Sequence, residues 1–204
     1  MKILVVYYSM YGHVFELAKA EAKGAAEVAG VEVMLRRTEE LEAVVKRAAS
    51  DEYIRKAMDA QKDIPVCTVD DLRAADGVLF GSPTRFGNMA AQMKQLFDGM
   101  GALWGKGEME GKPAGVFTST ASTHGGQETT LFSMYAPLIH LGMLVAGIPY
   151  STPGLAHTAA RGATPYGAST IAGGTGELRP TPEDLEFARV QGKRVAEIAK
   201  KLRG

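Results

Sequence analysis

The segment ILVVYYSMYGHV, residues 3–14, constrains the fold more than any other part of this chain. Its first six residues are aliphatic or aromatic, and this composition predicts a buried strand. A short turn containing Ser9 and Gly12 follows, and apolar residues at helical spacing begin directly after it. A strand that passes into a helix through so short a turn is typical of βαβ units, in which the strands are parallel.

The alternation of strand and helix continues along the chain. Four further strands are predicted in the segments GVEVMLRR (30–37), DGVLFG (76–81), PAGVFTST (113–120) and LVAGIPY (144–150). Helices are predicted between them, in 14–28, 89–100 and 127–143, with a kink at Pro137 in the last of these. Five strands alternating with helices predict an α/β fold with a parallel sheet covered on both faces.

Polar residues mark where other elements begin. Thr68 with Asp71 predicts the start of a short helical turn, and Thr181, Pro182 and Asp184 predict the start of the last helix. Residues 37–63 carry many charges of both signs with weak apolar periodicity, so we predict a solvated insertion after strand two. Residues 152–180 are rich in Gly, Thr and Pro and predict an extended surface loop.

Composition limits the partners of the chain. Its 204 residues predict a single domain over 1–204, and 23 basic against 23 acidic residues argue against nucleic acid or an anionic membrane as partner. Cys67 is the only cysteine, which excludes an internal disulfide and a multi-cysteine metal cluster, and we predict no metal. The first strand leaves no room for a signal peptide and no run is long enough to span a membrane, so we expect a cytoplasmic protein.

Three loops of the predicted sheet are candidates for a binding site, because ligands of such sheets bind at the carboxyl ends of the strands. SMYGHV (9–14) offers a hydroxyl and a glycine turn before a helix, which suits a phosphate. SPTRFGNM (82–89) offers Pro83, which stiffens the chain, Phe86 beside a ring, and Gly87 for close approach. STASTHGGQE (119–128) offers backbone amides that can stabilise a reduced flavin. Neither the P-loop of nucleoside triphosphate sites nor the GxGxxG motif of dinucleotide sites follows the first strand. A mononucleotide that carries a flavin ring is therefore the favoured ligand.

The segments YYSMYGH, GSPTRFGNM, GGQE and GATPYGASTIAGG together resemble the tryptophan-repressor-binding protein A (WrbA) family over nearly the whole chain. The resemblance implies a flavodoxin-like, doubly wound five-stranded sheet of order 2-1-3-4-5. It also implies an FMN-dependent NAD(P)H:quinone oxidoreductase. In the expected ping-pong reaction, NADH or NADPH transfers a hydride to FMN and leaves, and a quinone then receives two electrons in the same space.

The resemblance and the loop analysis together select the candidate site residues. The cofactor-binding candidates come from the three loops and from one helix end: Ser9, Met10, Tyr11, Gly12, His13 and Val14; Pro83, Thr84, Arg85, Phe86 and Gly87; Ser119, Thr120, Ala121, Ser122, Thr123, His124 and Gly125; and His140. The substrate-binding candidates are Tyr11, Trp104 and Tyr150. Tyr11 and His140 are candidates for protonating the quinone, and His13 and His157 are assigned no catalytic role.

His140 has two interpretations. The predicted helix carries it to the edge of the sheet opposite the flavin, where a histidine commonly caps a helix. The resemblance instead places it near the ring, which requires a neighbouring subunit. We therefore expect neighbouring chains to complete the site, and the family resemblance implies a homotetramer. We assign its contacts to the 37–63 insertion, the segment GALWGKG that contains Trp104, and the 162–176 loop.

Two other functions are considered. An electron-shuttle flavodoxin without turnover of its own would be expected to carry a strongly acidic surface, and this chain has no excess of acidic residues. A repressor-associated binding protein is suggested by the family name alone, because the sequence shows no peptide groove or DNA-reading motif.

Overall fold

The computed structural model describes residues 1–156 and 161–204, and His157 lies outside them. The strands are β1 Lys2–Tyr7, β2 Glu32–Arg37, β3 Gly77–Pro83, β4 Pro113–Thr120, β5 Leu144–Val145 and β6 Ser169–Ile171. The helices are α1 His13–Ala26, α2 Glu42–Ala48, α3 Glu52–Asp59, α4 Val69–Ala74, α5 Ala91–Asp98, α6 Gly101–Gly105, α7 Gln127–His140 and α8 Pro182–Arg203. None of the helices in this part of the chain has the length and apolar character needed to span a bilayer.

The sheet is parallel throughout and has the predicted order β2-β1-β3-β4-β5. Successive residues of β1 point to opposite faces, so Ile3 and Val5 pack beneath α1 and α8 while Leu4 and Val6 belong to the core on the other face. The second core is completed by residues of α4, α5, α6 and α7. Helices therefore cover both faces, and every strand directs its carboxyl end to the same edge.

The predicted starts of α4 and α8 are confirmed. Thr68 accepts the amide of Asp71, and the Asp71 carboxylate accepts the amide of Thr68, so that each side chain satisfies a backbone group of the other. Thr181 and Asp184 form the same capping box at α8. In each case, four consecutive residues specify where the helix begins.

The predicted fifth strand, 144–150, is wrong in extent. Only Leu144–Val145 pair with the beginning of β4, and β6 pairs with its end, so the fifth position of the sheet is filled by two separate segments. Pro149 has no amide to donate, and the amide of Ile148 instead donates to the carbonyl of Pro165 at 3.0 Å. The prediction of a surface loop over 152–180 is wrong at β6, whose first two residues are fully buried.

The charged insertion also differs from the prediction of a wholly solvated segment. It contains α2 and α3, and Asp51 caps α3 by accepting the amides of Tyr53 at 3.1 Å and Ile54 at 3.2 Å. Ile54 is fully buried in a small cluster with Tyr8 and Met10. The insertion thus packs onto the chain that follows β1, because its few apolar residues lie on one side. Trp104 lies in the short helix α6.

Candidate functional site

A cavity of about 420 Å³ opens at the carboxyl edge of the sheet. The loops after β1, β3 and β4 meet there, as predicted for parallel strands that end at one edge. The predicted residues that line it are Ser9, Met10, Tyr11, His13, Val14, Pro83, Thr84, Arg85, Ser119, Thr120 and Ala121. Three segments that are distant in sequence therefore form one site.

The loop after β1 turns sharply at Gly12. Its φ of 92° and ψ of −17° lie in the left-handed region, which glycine adopts at little cost. The turn makes Gly12 the residue that precedes α1, so the free amides of the helix's first turn are presented at the cavity. Ser9 stabilises this arrangement, because its Oγ accepts the amide of Phe15 at 3.1 Å. The Ser9 hydroxyl hydrogen remains available to a ligand.

The loop after β3 is held by Thr84. Its amide donates to the Ser119 carbonyl at 2.9 Å, and its Oγ1 accepts the Gly87 amide at 3.1 Å and the Thr130 hydroxyl at 2.8 Å. These bonds fix the β3 loop against the β4 loop. Phe86, at the tip, has a φ of 54° and a fully exposed side chain. A non-glycine residue in this region is uncommon, and here it lies at the tip of a loop whose neighbouring residue Arg85 lines the cavity.

Arg85 brings a positive charge to the site. Its Nη1 donates to the Thr84 carbonyl at 2.8 Å, and Nη2 lies 3.4 Å from the sulfur of Met10. Arg85, Met10 and Arg47 also line a second, neighbouring space of about 980 Å³. The guanidinium is therefore positioned where the two spaces adjoin.

The loop after β4 contributes less than predicted. Ser119, Thr120 and Ala121 line the cavity, whereas the next four predicted residues, Ser122, Thr123, His124 and Gly125, are outside its lining. The chain turns back at this point, because Ser122 accepts both the Thr120 hydroxyl at 2.8 Å and the Gly125 amide at 3.0 Å through its carbonyl. Gly12, Phe86 and Gly87 are likewise outside the lining.

The structure does not bring Trp104, His140 or Tyr150 to the cavity within one chain. His140 ends α7, a helix whose first residue follows the β4 loop, so it lies at the opposite end of that helix. Trp104 is 63% exposed and Tyr150 67% exposed. All three residues are on the surface of the subunit.

Sequence reasoning missed two parts of the wall. One is the segment Ala172–Gly176 after β6, and the other comprises Arg47, Asp51 and Tyr53 in the insertion. The glycine-rich run AGGTG after a β-branched STI was a usable signal for the first, because it has the form of a loop after a strand. No local pattern in the insertion indicates that its helices reach the site.

His13, the first residue of α1, is 4% exposed, and its Nε2 lies 3.1 Å from the Gly176 carbonyl. Burial, and next the Arg179 guanidinium, lower the pKa of His13 below 6.5. The ring is consequently neutral near pH 7. Its Nε2 carries the hydrogen, because the partner is a carbonyl oxygen that only accepts.

Comparison with known proteins identifies the family. Residues 1–157 match the family model of NADPH-dependent FMN reductases. The chain is 49% identical over 210 residues to an NAD(P)H dehydrogenase (quinone) of Geobacter metallireducens, with 100% of both chains covered. It is 50% identical over 210 residues to the protein of the same name in Geobacter sulfurreducens, again over 100% of both. The chain belongs to the NAD(P)H dehydrogenase (quinone) family. The resemblance to a family of NAD(P)H:quinone oxidoreductases is thereby confirmed.

Solved structures agree on the fold of this family member. A WrbA-like flavodoxin from Agrobacterium tumefaciens superposes with a TM-score of 0.64 at 24% identity, covering 98% of each chain. Flavodoxin 1 from Bacillus cereus superposes with a TM-score of 0.59 at 18% identity, covering 97% of this chain and 98% of that one. The predicted flavodoxin-like fold is confirmed.

The residues at the cavity fit a flavin nucleotide. The charged side chains of its lining are Arg47, Arg85 and Asp51, and the last of these lies 3.7 Å from Arg47 Nη2. The amino end of α1, directly after the Gly12 turn, suits a phosphate on its side of the cavity. The apolar lining residues Pro83 and Ala121, on the β3 and β4 loops, suit a flat ring beside those loops, next to Arg85.

Proposed function

We propose that this protein is an FMN-dependent NAD(P)H:quinone oxidoreductase that reduces quinones by two electrons. The observation that carries the proposal is the convergence of the β1, β3 and β4 loops on one cavity with the amino end of α1 beside it. Bound FMN would accept two electrons from NADH or NADPH and supply them to the quinone. The relatives that share half of the sequence are named for this reaction.

Each loop has a separate role in this proposal. The turn from Ser9 to Val14 binds the phosphate, and FMN is favoured over FAD because this turn offers a site for a terminal phosphate. Thr84, Arg85 and Phe86 border the ring, and Ser119–Ala121 supply amides near it. Oriented amides stabilise negative charge that develops in a reaction.

Both substrates use the same space in turn, so the kinetics are ping-pong. Tyr11 lines this space and is the candidate residue for the nicotinamide nucleotide. Its hydroxyl oxygen accepts a hydrogen bond from Nη2 of Arg47 at 3.5 Å, which holds the side chain at the cavity and leaves the hydroxyl hydrogen free to be donated. Tyr11 is therefore the candidate within one subunit for delivering a proton to the quinone.

Neighbouring subunits complete the site in a homotetramer. The exposure of Trp104, Tyr150 and His140 on one subunit supports this arrangement. Two apolar side chains of α7 are exposed as well, Phe132 at 46% and Ile139 at 66%, and such residues are typical of subunit contacts. His140 reaches a flavin only from a second chain.

Steady-state kinetics test the proposal. The FMN-loaded protein is mixed with NADH or NADPH, with and without benzoquinone, and nucleotide oxidation is followed at 340 nm. We expect fast oxidation that requires both FMN and the quinone, with parallel double-reciprocal lines when both substrates are varied. Slow oxidation that benzoquinone does not accelerate would instead favour an electron shuttle. Intersecting lines would refute the ping-pong order.

A further inference from the structure

Residues 172–178, the part of the β6–α8 connection that we name the β6–α8 loop, form one wall of the cavity through Ala172–Gly176. It is closed by its own hydrogen bonds. The Leu178 amide donates to the Ala172 carbonyl at 2.9 Å, and Glu177 accepts the amide and the hydroxyl of Thr175 at 3.0 and 2.8 Å. These hydrogen bonds within the loop hold its residues together as one unit.

A single oxygen of this loop connects it to two other parts of the chain. The Gly176 carbonyl accepts the Tyr53 hydroxyl at 2.8 Å and lies 3.1 Å from Nε2 of His13. Tyr53 belongs to α3 in the insertion, and His13 begins α1 beside the Gly12 turn. These two bonds join the insertion, the phosphate-binding turn and the β6–α8 loop at one point.

Gly176 is shaped for this contact. Its φ of +79° disfavours any side chain, and a Cβ at this position would lie 3.3 Å from the Tyr53 hydroxyl and 3.4 Å from Cε1 of His13. Close approach of both donors therefore depends on glycine. The His13 ring is buried and neutral, so it donates one hydrogen to the carbonyl and adds no charge.

Arg179 follows the loop directly and lies outside the cavity lining, in a neighbouring space that it shares with Tyr11, Gly12 and Tyr53. Its Nη1 lies 3.5 Å from the Tyr11 carbonyl, and its guanidinium carbon lies 5.8 Å from the centre of the Tyr53 ring. The Tyr53 ring is also 5.8 Å from that of Tyr11. With the loop fastened at Gly176, the positive charge of Arg179 lies next to the Gly12 turn that precedes α1.

We propose that the β6–α8 loop is a clasp over the phosphate end of the flavin site and that Tyr53 and His13 are positioning residues that fasten it. The inference rests on the proposed function, because it takes FMN as the ligand. It assigns the charged insertion a role within its own subunit: the insertion supplies the hydroxyl that keeps the clasp closed. The clasp retains the phosphate and leaves the ring end open to substrates.

The test is Tyr53→Phe, which removes the hydroxyl and keeps the ring that contacts Tyr11 and Arg179. The dissociation rates of FMN and of riboflavin, which has no phosphate, are measured by fluorescence on the full-length protein. We expect FMN to leave faster by about twofold to tenfold, as for the loss of one hydrogen bond, with riboflavin unchanged. Arg55→Gln, an exposed change on the same helix, is the matched control and leaves both rates unchanged.

A second readout needs no turnover. A protease that cleaves after glutamate is added to the apoprotein, and cutting between Glu177 and Leu178 is followed by mass spectrometry. We expect faster cutting in Tyr53→Phe than in the wild type, and slower cutting of the wild type once FMN is added. Equal cutting rates with equal FMN release in both proteins would overturn the clasp, as would equal acceleration of FMN and riboflavin release. Absence of FMN binding to the wild type would refute the proposed function instead.

Discussion

Replacement of Gly12 by valine tests the turn that presents the amino end of α1 to the ligand. Gly12 has φ 92° and ψ −17°, a conformation that is an outlier for a β-branched residue and costs about 1–3 kcal/mol. A Cβ here would lie 3.5 Å from Arg179 Nη1, which is an ordinary contact, so the cost is backbone strain and not a clash. In a chain of this length, each kcal/mol lowers the melting temperature by about 2–4 °C.

The effect on FMN should be larger than the effect on stability. A residue that leaves the left-handed region turns the first amides of α1 away from the phosphate, and hydrogen bonds to charged groups contribute about 1.5–3 kcal/mol each. Loss of one or two of them raises the Kd of FMN at least about tenfold, while riboflavin binding changes little. Fluorescence titration of the apoprotein with both ligands measures this difference.

Gly30→Val is the matched control. Gly30 also has a left-handed φ, of +84°, and a Cβ there meets no atom within 4 Å, so the substitution adds similar strain in an exposed turn after α1. We expect a comparable loss of stability with unchanged FMN affinity. The reasoning is refuted if Gly12→Val binds FMN as the wild type does, or if Gly30→Val weakens FMN binding equally.

Three further outcomes are expected. Burial raises the pKa of Glu21 well above its ordinary 4.5, so folding of the wild type becomes less favourable as pH rises above 4.5. The stability gained by Glu21→Gln should therefore grow with pH when it is measured by urea denaturation from pH 5 to 8. A difference that does not depend on pH contradicts this. Gln191→Leu should lower the free energy of unfolding by about 2–4 kcal/mol, because the buried Ala168 amide and Val116 carbonyl lose hydrogen-bond partners at 2.8 and 3.2 Å. An unchanged melting temperature would show that these two hydrogen bonds do not stabilise the fold. Dilution in sedimentation velocity should lower both the sedimentation coefficient and FMN occupancy, with added FMN restoring assembly, whereas an FMN-saturated active monomer would rule out composite sites.

The parts of the fold that the sequence predicts are those encoded locally. The strand PAGVFTST was predicted at 113–120 and is β4, Pro113–Thr120, because an apolar run lies between glycine-containing turns. The capping residues of α4 and α8 specify both helix starts within a few positions. Since parallel strands end at one edge, the positions of the three main loops at the site followed from strand order alone.

The parts that were missed depend on contacts between distant residues. LVAGIPY could continue as a strand only by pairing with the second half of β4. The segment β6, which comes later in the chain, pairs there instead. Tyr53 reaches the site because Ile54 anchors α3 next to Met10, a contact that no local period reveals. The role of Gly176 likewise depends on two donors from separate elements.

The most direct test of the proposed function is an anaerobic sequential-mixing experiment on the FMN-loaded protein. One equivalent of NADH or NADPH is added first, and benzoquinone is added after the nucleotide has been consumed, with absorbance followed at 450 nm. The account predicts that the flavin absorbance is lost in the first step and fully restored in the second, with one quinone reduced for each nucleotide oxidised. Retention of the absorbance after NADH and NADPH, or a bleached protein that benzoquinone does not reoxidise, would contradict it.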